Sequence, residues 1–131
     1  MNCSNNPECS EHVEPATYAA NVVTLLQRWA PRARHLVWVS TTPVPNVTTS
    51  LGRTYAAAVA YNAAAAAAIA AAFPAGSITT ADLWGAVIAV CGAGYTSCPL
   101  QLPANVHFAP AGQRALATAL ADVVLRVLGM L

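Results

Sequence analysis

The run His35-Leu36-Val37-Trp38-Val39-Ser40 constrains the fold more than any other stretch of the chain. It has almost no polar alternation, the pattern of a strand buried on both faces in a parallel sheet. Thr41-Thr42-Pro43-Val44-Pro45 ends it, because proline cannot continue a ladder.

Helical patterns surround that strand. Tyr18, Val22, Leu25, Leu26 and Trp29 recur at helical spacing, with Pro15 placed to open the helix and Pro31 to close it. A second helix is expected from about Arg53 to Phe73, stopped by Pro74-Ala75-Gly76. Ser77-Ile78-Thr79-Thr80 reads as a brief strand, and Ala81-Asp82-Leu83-Trp84 begins a helical stretch towards Val90. Residues 91–106 are irregular, punctuated by Gly92, Gly94, Pro99 and Pro103. The last helix starts near Pro110, with Leu116, Leu120, Val123, Val124, Val127 and Leu128 on its apolar side. Residues 1–15 read as a loop leader, rich in Asn, Cys, Ser, Glu and Pro.

Strands alternating with helices indicate an α/β protein with a parallel sheet. Two strands, however, offer too little surface to cover four apolar helix faces, and so small a sheet is marginal. The sequence therefore reads as an incomplete unit, completed by strands outside these residues or by pairing with another chain.

Composition excludes several function classes. Only 8% of residues are charged, there is no lysine, and the six arginines are scattered. No electrostatic footprint for nucleic acid is present, and no basic amphipathic stretch suggests a membrane surface. The alanine run from Ala63 to Ala68 is weakly apolar and is preceded by Tyr61 and Asn62, so it reads as a tolerant helix rather than a membrane span. No metal, nucleotide or flavin motif appears, so no cofactor is implied.

The four cysteines form two close pairs, Cys3 with Cys9 and Cys91 with Cys98. Neither pair has the spacing or the histidines of a zinc site. Two local disulfides fit better than four reduced thiols and imply an oxidising compartment. Asn46-Val47-Thr48 is a glycosylation sequon that agrees with secretion. The first residues contain neither a basic nor an apolar signal-peptide region.

Of the three histidines, His12 in the leader and His35 at the start of the strand have settings typical of structural residues. His107 lies between the irregular segment and the last helix. Loops at the edge of a parallel sheet are where open α/β folds place ligands and catalytic groups.

The segment Val106-His107-Phe108-Ala109-Pro110-Ala111-Gly112 resembles the final conserved block of SGNH/GDSL hydrolases. Three further segments resemble that family in the family's order: Trp38-Val39-Ser40-Thr41-Thr42-Pro43-Val44-Pro45, Tyr61-Asn62 and Asp82-Leu83-Trp84. The similarity runs from about Glu11 to Leu128. It implies a three-layer α/β/α, flavodoxin-like fold of which residues 1–131 form the carboxy-terminal part of one domain. About two parallel strands and four helices of that fold would be present. It also implies hydrolysis of carboxylic esters, carbohydrate O-acetyl esters among them, with a histidine as general base to a serine nucleophile. His107 takes the histidine's place.

The chain departs from the family in two respects. It contains no Gly-Asp-Ser, so the nucleophile and the oxyanion-hole glycine lie outside it, and only Asn2 is a candidate for the family's oxyanion-hole asparagine. The family's aspartate three residues before the histidine is here Ala104. Asn105 and a backbone carbonyl of the 91–102 loop are alternative partners for the imidazole. Asp122 lies along the last helix, and Asp82 is better placed to cap the helix opening at Leu83. A bridged Cys91–Cys98 pair would staple the segment that leads to His107. On this reading the chain alone is inactive, and the alternative is a non-catalytic interaction or scaffold protein whose unfilled sheet drives self-association.

Overall fold

A computed structural model of the chain describes residues 13–47 and 53–131. It is a mixed α/β structure of four helices and two parallel strands, in the order α1 (Pro15–Trp29), β1 (Val37–Val39), α2 (Tyr55–Ala72), β2 (Thr79–Ala81), α3 (Leu83–Cys91) and α4 (Pro110–Val127).

Local chemistry accounts for the boundaries. Pro15 and Pro110 occupy the first turns of α1 and α4, where a missing N–H costs nothing. Thr54 caps α2, its hydroxyl oxygen accepting the Ala57 N–H at 3.1 Å. Asp82 caps α3 as expected, accepting the Gly85 N–H at 2.8 Å. The second strand begins two residues later than the sequence suggests. Ser77 Oγ instead donates to the Pro74 carbonyl at 2.7 Å, closing a turn, and Ile78 packs into the core.

The core is small. Val22, Ala65 and Ile69 are buried at the α1–α2 contact, with Tyr18, Leu26, Trp38, Phe73 and Ile78 packed against them. Alanine's small side chain suits this close approach; Ala65 is fully buried. Tyr18 and Tyr61 stack edge to face at 4.9 Å, and Tyr61 OH donates to the Val13 carbonyl at 2.6 Å. By length and composition α2 is apolar enough to cross a membrane; in this fold one of its faces rests on α1. On the other side of the chain, α3 packs on α4 and α4 meets β2.

β1 and β2 pair in register, Val37 with Thr79, Trp38 with Thr80 and Val39 with Ala81. The Thr79 N–H donates to the Leu36 carbonyl and the Ser40 N–H to the Ala81 carbonyl, both at 3.0 Å. Backbone groups of successive strand residues point to opposite edges, so those of Val37 and Val39 face away from β2. Among the described residues no third strand joins this sheet. The edge is closed only past the strand, where the Asn62 carboxamide accepts the Thr41 N–H and donates to the Thr41 carbonyl, each at 2.8 Å.

The expectation of a strand buried on both faces is corrected here. Trp38 is half-buried, but Val39 is 38% exposed, and Val59, Val90, Val124 and Leu128 are exposed as well. The described elements cover one side of β1 and leave the other open, which an apolar run cannot reveal because it looks the same in either case.

Candidate functional site around His107

His107 sits near the tip of a closed loop. Gln101 and Phe108 form an isolated antiparallel bridge. Beside it the Leu102 N–H donates to the His107 carbonyl and the Ala109 N–H to the Leu100 carbonyl, both at 2.9 Å. The loop turns through Ala104, whose φ of 49° lies in the left-handed region. Asn105 Oδ1 accepts the His107 backbone N–H at 3.0 Å. The backbone of His107 is thus held through both its N–H and its C=O.

Gly112, in the first turn of α4, has a physical reason to be glycine. A Cβ there would run into the Leu100 carbonyl, the same group that accepts the Ala109 N–H. The helix start therefore packs directly onto the backbone of the histidine loop.

A buried polar knot fastens this loop to the segment after β1. The Tyr95 hydroxyl bonds the Gln101 carboxamide oxygen and lies 3.1 Å from the Pro43 carbonyl. Gln101 Nε2 donates to that same carbonyl at 3.1 Å. Pro43 is fully buried, and Tyr95 and Gln101 are 7% and 5% exposed. The Asn46 N–H adds a bond to the Tyr95 carbonyl at 2.7 Å. Burial, and then the charge of nearby Tyr55, push the Tyr95 phenol up to about 12. The Cys91–Cys98 disulfide, Cα atoms 5.2 Å apart, closes the loop that carries Tyr95. It is consistent with an oxidising environment.

These ties bring His107 to a cavity of about 380 Å³ at the carboxyl end of β1. Thr41, Thr42, Pro43 and Val44 form one wall, Ala57, Ala58 and Tyr61 of α2 another, and Arg53, Thr54 and Val106 complete the lining with His107. The imidazole is exposed, and among the described residues it takes no hydrogen bond. A ring so placed is available for proton transfer or ligand binding rather than committed to structure.

The candidate imidazole partners fare differently. The Asn105 carboxamide oxygen is engaged by backbone, and Ala104 has no acceptor in its side chain. Asp122 is exposed along α4. Asp82 caps α3, accepts a hydrogen bond from Ser40 Oγ at 3.3 Å, and lines a second cavity of about 370 Å³ with Trp38, Ser40, Asn62 and Trp84. No carboxylate among the described residues lines the His107 cavity. His35 is exposed ahead of β1, away from both cavities. Asn2, Cys3, Cys9, His12 and Thr48 lie outside the described residues.

Tyr95 and Gln101 were missed by sequence reasoning. The available signal was a tyrosine inside a glycine-punctuated loop, since a buried phenol needs a partner for its hydroxyl.

No protein-family model, curated protein or solved structure matches the chain.

Proposed function

We propose that the chain is the histidine-bearing, carboxy-terminal part of a three-layer SGNH/GDSL-type ester hydrolase of the secretory pathway. The observation that carries this reading is the convergence of the four resembling segments. Asn62 holds the Thr41 backbone, the Trp84 N–H donates to Ser40 Oγ at 2.9 Å while that hydroxyl donates to Asp82, and His107 shares a cavity with Thr41, Thr42, Pro43 and Tyr61.

On this reading His107 takes the proton from a serine hydroxyl as the oxygen attacks an ester carbonyl, then returns it to the leaving alcohol. The serine and the oxyanion-hole donors come from strands that pair with the open edge of β1. No carboxylate among the described residues lines the cavity, so the imidazolium formed in that step relies on solvent, and a dyad replaces the triad. The substrate is a small-molecule or carbohydrate carboxylic ester.

The test joins the chain to the polypeptide encoded in frame ahead of Met1 and assays 4-nitrophenyl acetate. The joined protein is expected to carry Gly-Asp-Ser and to turn over the ester, while the 131-residue chain stays at the rate of free imidazole. An upstream frame without that motif, or turnover by the chain alone, would overturn it.

A second reading is a non-catalytic interaction protein. It is favoured by the open edge of β1 and by the exposed Val39, Val59, Val124 and Leu128. Light scattering separates the two, because a stable monomer with no upstream partner counts against an unfilled sheet that self-associates.

A further inference from the structure

We propose that the His107 cavity binds a ligand bearing a carboxylate, which, if the hydrolase reading of this site holds, makes the substrate an ester with an acidic substituent beside the scissile group. Two basic side chains, Arg53 and His107, line the cavity, and no aspartate or glutamate among the described residues does. A guanidinium suits a carboxylate in its fork geometry.

The first turn of the 18-residue α2 also borders the cavity and contains no acidic residue, and the positive end of its dipole favours an anion there. The Thr54 hydroxyl accepts the Ala57 N–H and still has its own proton to donate. Thr41 and Thr42 add two more hydroxyls to the opposite wall.

The remaining walls are hydrocarbon, from Pro43, Val44, Ala58 and Val106 among others. A volume of about 380 Å³ is at the small end for ligand pockets. Such a space suits a short acyl chain ending in one compact anion. In a chain only 8% charged, an arginine, a histidine and a helix amino terminus meet at this one small cavity.

The test is an NMR titration of the 131-residue chain, following the His107 ring and Arg53 Nε–H signals. The probes are monomethyl succinate, which is anionic, and its neutral analogue dimethyl succinate. The anionic ester is expected to bind about ten-fold tighter or more, and to weaken as salt is raised. Arg53→Gln should remove about ten-fold of that affinity, with Arg53→Lys keeping part of it. Equal binding of the two esters, no binding of the anion, or an unchanged affinity in Arg53→Gln would overturn the inference. Anion binding without turnover in the joined protein would leave this inference standing and remove the hydrolase; turnover with equal affinity for both esters would do the reverse.

Discussion

Replacing Tyr95 by phenylalanine tests whether the buried knot holds the histidine loop. The substitution removes one hydroxyl and almost no volume. The Pro43 carbonyl keeps its bond from Gln101 Nε2, but Gln101 Oε1 loses its donor at a site where Gln101 is only 5% exposed. An orphaned buried acceptor costs about 1–3 kcal/mol, so about 2 kcal/mol is expected. For 131 residues, an unfolding entropy of about 2.1 cal/mol/K per residue turns that into a fall in Tm of about 7 °C. Calorimetry measures it. Tyr61→Phe is the control, because it removes only an exposed hydrogen bond to Val13 and should cost under about 1 kcal/mol. Hydrogen exchange should also quicken at the Leu102 and Ala109 amides, which close the loop around His107. A melting point within about 1 °C of wild type, or a fall no larger than in Tyr61→Phe, would refute the reasoning.

The same phenol makes stability pH-dependent. Its folded pKa is raised, so its contribution is whole below about pH 10 and is lost as pH rises through about 12; alkaline denaturation followed by circular dichroism should flatten in Tyr95→Phe. Gly112→Ala drives a Cβ into the Leu100 carbonyl and should cost about 1–3 kcal/mol in urea melts, whereas Gly76→Ala meets no atom and suffers only its positive φ. The double variant Cys91→Ser, Cys98→Ser opens a link of sequence separation 7 and should lose roughly 2–3 kcal/mol by loop-closure entropy, read from the same melts.

The helices were legible because proline marks their starts and stops. Pro15 and Pro110 sit in the first turns of α1 and α4, and Pro74 follows α2. The Asp82 cap was legible for a similar local reason. What could not be read was whether β1 is covered, since burial depends on which elements are present and not on the run itself. His107 was legible as a candidate from its loop position between irregular chain and helix. Its fastening was not: Tyr95 and Gln101 act on Pro43, more than fifty residues earlier, and their loop has no periodicity to expose a buried face. Nor did sequence order show that Asp82 would be held by Ser40, in a cavity other than the one His107 lines.

The role of His107 is tested most directly by comparing kcat for 4-nitrophenyl acetate in the joined protein and in its His107→Ala variant. The imidazole is exposed and makes no hydrogen bond among the described residues, so its removal should leave Tm unchanged. A drop in kcat of about 10³-fold or more at constant Tm is expected for loss of the general base. Equal kcat in the two proteins would contradict it.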